Sequence, residues 1–380
     1  MKRLTILTAL ALLLAGCLKS NVEPPAPLTK FTPKLKVERL WSRSIGGADA
    51  ILRLGIVPAS DGNRVYAAAH NGDIYAYALE DGNQRWQVST DLPLSAGPGV
   101  GDGIVVVGAT DGNVLALDAA SGKKLWQVNI NGEILASPAV SQTAVIVRTT
   151  DGRLMDLSPE SGQKLWSISR EMPRLTLRGA STPVIAGGMV LDGQNSGKLL
   201  AVNLTDGSQR WEATIGTPSG SNELARLADL NGALAVDSDN VFAVTYQGQI
   251  ADVLRESGQR LWSREMSSYT GVSEDATHVY VSDIHSEVWA LDKTTGVPVW
   301  TQPAMRARDL TLPVPYLDTV VAGDLQGYLQ FMSKSDGSIV ARTQLGSDPI
   351  LAPPIVVNGI LVVLTTGGDL AAYKAVPLSQ

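Results

Sequence analysis

The chain has 380 residues, of which 44% are apolar and 18% charged, and this balance excludes a mainly disordered protein. Its formal net charge of −6 argues against a general nucleic-acid binder, which would normally be basic. One cysteine and three widely spaced histidines allow no internal disulfide and predict no structural zinc site.

The N-terminus has the layout of an export signal followed by a lipid attachment site. Lys2 and Arg3 precede an apolar run over 4–14, which is too short to span a bilayer as a helix. The run ends in Leu-Ala-Gly-Cys at 14–17, which resembles the lipobox of bacterial lipoproteins. This resemblance implies that residues 1–16 are removed and that Cys17 carries acyl chains. The alternative is an ordinary signal peptide with a chance cysteine.

Residues 17–37 are predicted to be a lipidated cysteine followed by a proline-rich tether. Four prolines fall between 24 and 33, so we expect no regular structure and nothing that packs. At about 3.1 Å per residue, such a tether would hold the globular part up to roughly 60 Å from the bilayer. In enterobacterial lipoproteins an Asp after the cysteine favours inner-membrane retention. Leu18 stands there instead, so the resemblance implies an outer-membrane protein facing the periplasm.

The remainder, residues 38–380, consists of eight copies of one sequence repeat. Its phrase is Gly-x-apolar-x-Ala-apolar, then a Ser-Gly or Asp-Gly turn, then Trp. The seventh copy has Ala341 where Trp is expected. The copies begin at Gly72, Gly112, Gly152, Gly197, Gly248, Ser286, Gly327 and Gly368.

Each repeat contains four short β-runs separated by hairpin signals. In the second repeat these runs are 96–100, 104–109, 113–118 and 124–128. The first run is built of small residues, which suits a crowded innermost strand. The Trp falls on the outermost run, where we expect it to fill the wider gap between neighbouring sheets. The sequence therefore predicts an all-β fold, an eight-bladed β-propeller of four-stranded antiparallel blades.

The eighth copy lacks its Trp-bearing strand, and the missing phrase stands at the other end of the globular part. Glu-Arg-Leu-Trp at 38–41 matches that strand. Pairing an N-terminal strand with the last blade would close the ring and remove two open sheet edges.

The repeat phrase resembles that of the quinoprotein (PQQ-type) propeller superfamily, which includes quinone-dependent dehydrogenases and non-catalytic scaffolds. A periplasmic PQQ-dependent dehydrogenase would need a calcium site with an Asp base, and the alcohol dehydrogenases also carry an adjacent Cys pair. Most Asp residues here sit in Asp-Gly turns, and His70, His278 and His285 show no partner spacing. We therefore expect no enzyme, cofactor or metal, and keep the dehydrogenase as the alternative.

Two segments, 172–179 and 222–230, are similar to stretches of the BamB family of outer-membrane assembly lipoproteins. This resemblance implies a scaffold of the β-barrel assembly machinery (the Bam complex) that docks on the periplasmic POTRA domains of BamA. It leaves open whether unfolded outer-membrane proteins are bound as well. A family Asp falls on Asn231, which puts the role of that position in doubt. The implied contact positions are Leu175, Leu177, Arg178, Asp229 and Asn231.

The lengths of the connectors point to the same segments. The connector to the next small-residue strand spans 12 positions after Trp86 and after Trp126, but 17 after Trp166 and 23 after Trp211. The loop at 192–197 is enlarged too. Because alternating strands bring these loops to one face, we expect them to form one sector there, and loops lengthen where function uses them.

The composition of these connectors favours protein docking. Apolar residues flanked by charge and Arg are typical of protein interfaces. Alternatively, the leucines fold back onto the blades and the charges are only solvated. The segment 174–178 alternates polar and apolar residues, so it could also pair as an added strand. The residues concerned are Arg174, Leu175, Leu177 and Arg178 in one connector and Glu223, Arg226 and Asp229 in the next.

Overall fold

A computed structural model describes residues 23–47, 55–179 and 181–378. The export signal and Cys17 lie outside these residues, so their assignment stays a prediction. In the described part of the chain, no helix is long and apolar enough to cross a membrane.

The described residues form short β-strands, as the repeated hairpin signals predict. In chain order, the first eighteen are β1 (Leu35–Ser44), β2 (Gly55–Ile56), β3 (Ala59–Ser60), β4 (Arg64–Ala68), β5 (Asp73–Ala78), β6 (Gln84–Ser89), β7 (Leu94–Gly101), β8 (Ile104–Ala109), β9 (Asn113–Asp118), β10 (Lys124–Asn129), β11 (Ala139–Val140), β12 (Val145–Arg148), β13 (Arg153–Leu157), β14 (Lys164–Ser169), β15 (Val184–Ala186), β16 (Met189–Gly193), β17 (Lys198–Asn203) and β18 (Gln209–Thr214).

The second half of the chain continues the same pattern. The strands are β19 (Ala235–Val236), β20 (Asn240–Val244), β21 (Gly248–Leu254), β22 (Arg260–Met266), β23 (Val272–Glu274), β24 (His278–Ser282), β25 (Val288–Asp292), β26 (Pro298–Gln302), β27 (Val314–Tyr316), β28 (Thr319–Gly323), β29 (Tyr328–Ser333), β30 (Ile339–Gln344), β31 (Ile355–Val357), β32 (Ile360–Leu364) and β33 (Asp369–Pro377).

These strands form eight antiparallel sheets, which confirms the predicted eight-bladed propeller. Blades 1 to 7 take four consecutive strands each, from β3–β6 to β27–β30, with the innermost strand first. The short β2 adds a parallel pairing to the inner strand of blade 2. Buried clusters lie between neighbouring blades, so the core is divided around the ring rather than gathered at its centre.

The ring closes as the sequence predicts. Blade 8 has the order β31-β32-β33-β1, so its outermost strand comes from the other end of the chain. The pairing runs from Leu35 opposite Pro377 to Ser44 opposite Asp369. The strand therefore begins three residues before the predicted start at 38.

Each outer-strand tryptophan contacts a turn of the next blade. Trp166, for example, donates its indole N–H to the carbonyl of Leu204, and its ring lies against Gly207 in the turn between the last two strands of blade 4. Across the seven pairs the N···O distances are 2.7–3.0 Å. The pairs are Trp41–Leu79, Trp86–Ala119, Trp126–Pro159, Trp166–Leu204, Trp211–Arg255, Trp262–Lys293 and Trp300–Lys334.

The eighth junction explains the missing tryptophan at Ala341. Because β1 comes from the far end of the chain, no turn joins it to β33, and no turn glycine exists for an indole to cover. Tyr316 of β27 joins blades 7 and 8 instead. Its hydroxyl donates to the carbonyl of Gly359 at 3.1 Å and accepts the N–H of Ala375 at 2.9 Å.

The expectation that nothing in the tether packs is wrong for residues 23–34. Phe31 packs against the buried cluster between blades 6 and 7, and Lys34 donates its backbone N–H to Val340 at 2.8 Å. The four prolines exclude regular strand pairing, but they do not prevent an irregular segment from docking on its own propeller.

Two aspartates are buried inside blades. Asp156 on β13 and Asp252 on β21 take the repeat position that is Ala in most copies, and they are 2% and 1% exposed. In register they lie opposite Trp166 and Trp262. Burial penalises their charged forms and raises the pKa of each carboxyl to about 7.

The contact between tryptophan and glycine yields a first prediction. We expect Gly207→Ala to destabilise the ring, because an added Cβ would lie 2.6 Å from the Trp166 ring. Gly103→Ala is the matched control, since Gly103 also has positive φ but has nothing within 4 Å. Both changes carry the backbone cost of about 1–2 kcal/mol, and Gly207→Ala adds roughly 1–3 kcal/mol of overpacking. Equal urea midpoints for the two variants would contradict this.

A second prediction concerns pH. Because folding raises the pKa of Asp156, its contribution to stability is fully present near pH 4 and is lost as the pH rises through about 7. Asp156→Asn removes this titration while keeping the oxygen that accepts the N–H of Val145. We therefore expect the variant to gain more in melting temperature at pH 8 than at pH 5. A difference from the wild type that is the same at both pH values would refute the assignment.

Candidate partner-docking site

The three enlarged loops meet on one face, as their lengths predict. This face, which we call the connector face, carries the loops between second and third strands and the connectors between blades. The carboxylate of Asp229, in the β18–β19 connector, joins the three loops. Its Oδ1 accepts the backbone N–H of Leu177, in the β14–β15 connector, at 3.1 Å and the side-chain amide of Asn195, in the β16–β17 loop, at 2.9 Å.

Asn231 strengthens the same junction. Its Nδ2 donates to the carbonyl of Leu177 at 3.3 Å and lies 3.4 Å from Oδ1 of Asp229. The N–H and the carbonyl of Leu177 are therefore both held by the neighbouring connector. An Asp at 231, which the family resemblance would imply, could not donate these bonds when ionised. Asn231 thus keeps a positioning role without the charge.

A buried arginine that was not predicted from the sequence supports the junction from below. Arg148 ends β12, is 3% exposed, and donates to Oδ1 of Asn195 at 2.8 Å and to the carbonyl of Gly193. It also lies 3.4 Å from the buried carboxylate of Asp192. A pattern in the sequence could have indicated it, because Arg148 ends an otherwise apolar strand, and a buried charge there needs polar partners.

Asp229 is 1% exposed, so it lies beneath the surface rather than on it. Burial raises the pKa of its carboxyl, and the hydrogen bonds from Asn195 and Leu177 act in the opposite direction. Its Oδ2 has no hydrogen-bond partner among the described residues. The family resemblance implies a contact position at Asp229, whereas in this structure its carboxylate positions the backbone of Leu177.

The exposed part of the site is carried by other side chains. Leu175 is 39% exposed, Leu177 is half-buried, and the exposed Arg178 pairs with Glu133 at 2.8 Å. The alternative that Leu175 folds back onto the blades does not hold. Leu224, in the β18–β19 connector, is 67% exposed and was not singled out from the sequence, although the apolar pair that it forms with Ala225 between two charged residues was a usable signal. The segment 174–178 forms no strand.

We call Leu175, Leu177, Arg178 and Leu224 the docking sector. Leu177, Arg178 and Asn231 also line a cavity of about 600 Å³ at the mouth of the central channel. Part of the docking sector therefore lies at the rim of this channel, and Leu224 lies in the connector from blade 4 to blade 5. Among the described residues, no group of three or more His, Cys, Asp or Glu side chains could hold a metal ion.

Solved structures share this architecture. A quinohemoprotein alcohol dehydrogenase from Comamonas testosteroni matches with a TM-score of 0.71 over 90% of this chain and 78% of its own, at 13% identity, which shows the fold alone. BamB from Moraxella catarrhalis matches with a TM-score of 0.81 over 89% of this chain and all of its own, at 25% identity. The class is therefore an eight-bladed β-propeller.

Within that class, the family model described as outer membrane protein assembly factor BamB matches residues 70–302. The chain belongs to this family. The Pseudomonas aeruginosa member is 48% identical over 97% of both chains, and the Alkalilimnicola ehrlichii member is 47% identical over 99% of this chain and 97% of its own. The Escherichia coli member is 34% identical over 94% of this chain and 95% of its own. The family is one of assembly factors, and the dehydrogenase alternative is not favoured.

The role of Asn195 in this junction can be tested. We expect Asn195→Ala to leave Arg148 and Asp229 each short of a buried partner, at a cost of about 1–3 kcal/mol. Hydrogen–deuterium exchange at the amide of Leu177 should then quicken. Asn203→Ala, in the same blade, is the control, because Asn203 also makes two side-chain hydrogen bonds, but these are exposed at the end of β17. Unchanged exchange across residues 172–179 would show that Asn195 does not hold the connector.

Proposed function

We propose that this protein is a non-catalytic scaffold of the β-barrel assembly machinery that docks on the periplasmic POTRA domains of BamA through the docking sector. Family membership supports a role in outer-membrane protein assembly and a place in the Bam complex. The observation that carries the proposal is the Asp229 junction, which binds two long connectors together and presents exposed apolar side chains beside an arginine.

The chemistry of the docking sector suits a protein partner. Leu175 and Leu224 expose apolar surface that association would bury, at about 25 cal/mol per Å² removed from water. Arg178 provides a charged group with several donors at the rim of that surface. A preformed loop loses less conformational entropy on binding, so the hydrogen bonds that fix Leu177 favour affinity.

The residues divide into two roles under this proposal. Leu175, Leu177, Arg178 and Leu224 would contact BamA directly. Asp229 and Asn231 would act through Leu177, because a carboxylate 1% exposed cannot reach a partner without rearrangement of the connectors. Arg148 and Asn195 complete this inner set.

The N-terminal motif supports a placement of the protein on the outer membrane. Acylation of Cys17 would anchor the chain in the outer membrane, since several acyl chains together hold a protein stably on a bilayer. The propeller would then face the periplasm, where the POTRA domains of BamA are found.

The proposal predicts loss of BamA binding when the docking sector is changed. Leu175→Asp combined with Arg178→Glu removes an apolar contact and reverses a charge, and we expect BamA co-purification to fall. Truncating an interface anchor typically costs about 2 kcal/mol or more, which is roughly thirtyfold in affinity. The melting temperature and the β-rich circular dichroism should not change, because both side chains are exposed.

Leu317→Asp is the matched control, since Leu317 is 54% exposed and lies in the β27–β28 turn on the opposite face. It should bind BamA like the wild type. A folded double variant that still binds at wild-type affinity would move the interface elsewhere. A double variant that unfolds would show that these residues belong to the core.

A further inference from the structure

The N-terminal segment 23–34, which we call the strap, crosses the outside of blade 7 from one face of the ring to the other. It leaves β1 beside Pro377, at the face opposite the connector face. It ends beside Arg306, in the β26–β27 connector, and every connector between blades lies on the connector face. The strap therefore changes the face from which the N-terminal end departs.

Blade 7 holds the middle of the strap. Arg342 on β30 donates from Nη1 to the carbonyl of Thr29 at 3.1 Å, and its guanidinium lies 5.0 Å from the centre of the Phe31 ring. Phe31 is packed against the cluster that includes Trp300 and Ile339. Release of the strap would expose this ring and break a cation–π contact.

The β26–β27 connector holds the far end of the strap. Ala26 donates its N–H to the carbonyl of Arg306 at 2.9 Å, and the side chain of Arg306 pairs with Glu23 at 2.8 Å. Arg308 is 2% exposed and pairs with Asp324, and its Nη1 donates to the carbonyl of Ala26 at 2.8 Å. Without the strap, a buried guanidinium would lose one of its acceptors, which is costly.

The position of this end limits the reach of the lipid anchor. Cys17 and Glu23 are six residues apart (23 − 17). Six residues span at most about 20 Å whatever their conformation. If the strap were free, the eighteen residues from Cys17 to Leu35 could span about 60 Å and would leave from the opposite face.

We infer that the strap orients the propeller, so that the connector face with its docking sector is turned toward the lipid surface that holds Cys17. The inference rests on the proposed acylation of Cys17. The strap itself covers the outer surface of blade 7, and it would link the propeller to the acylated Cys17 in the membrane. The opposite face is then farther from the bilayer by about 20 Å, the length of a six-residue strand.

Energy transfer to the bilayer can test this orientation. The full-length acylated protein is placed on vesicles whose lipid headgroups carry an acceptor dye. Donor dye is attached to Ser219→Cys on the connector face or to Ser161→Cys on the opposite face, both exposed. Acylated Cys17 leaves no other thiol to label. We expect greater transfer from position 219, with a difference in distance of roughly 20 Å.

A strap variant provides the comparison. Glu23→Arg together with Phe31→Ala places like charges beside Arg306 and removes the packed ring, while leaving the propeller residues unchanged. In this background the advantage of position 219 should disappear or reverse. Equal or greater transfer from position 161 in the wild-type strap, or an unchanged advantage in the variant, would overturn the orientation. Protein that does not float with the vesicles would instead overturn the lipid anchor itself.

Discussion

The contact between an outer-strand tryptophan and the turn glycine of the next blade sets the geometry of the ring. Each indole is fixed twice, by a hydrogen bond to a backbone carbonyl and by a turn in which no Cβ intervenes. Each pair joins neighbouring blades only, so the angle between blades is decided locally and repeated. The one junction without it lies between blades 7 and 8, where Ala341 replaces the tryptophan, and there the hydroxyl of Tyr316 bonds to blade 8 instead.

Because these tryptophan contacts lie at the outer rim, the connectors on the connector face contribute little to holding neighbouring blades together. They can lengthen without disturbing the blades, and two consecutive ones have done so. A long connector would gain freedom unless something fixed it. Arg148, Asn195 and Asp229 provide that restraint through a buried polar chain from β12 to the backbone of Leu177. Such a chain is costly to leave half-satisfied, which favours one conformation of the docking sector.

The fold could be predicted from the sequence because its information is local and repeated. The glycine turns, the small inner strands and the Trp recur at one period, and the displaced phrase at 38–41 located the closing strand. The sector of long connectors could be found by counting positions. The burial of Asp229, the support from Arg148 and the docking of the strap could not be found this way. They depend on contacts between distant segments, such as the 282 positions between Ala26 and Arg308, which no local pattern records.

Because β1 pairs with β33, the ring can close only after the last strand of the propeller has been synthesised. The first strand of the propeller has no partner until the last one has been made, more than 300 residues later. A chain that stops short of β33 could still form seven blades, yet it would carry two unpaired sheet edges, which are templates for aggregation and targets for proteolysis. A truncated product would therefore expose edges that favour aggregation and proteolysis. A chain that includes β33 would pair both edges and form the closed ring.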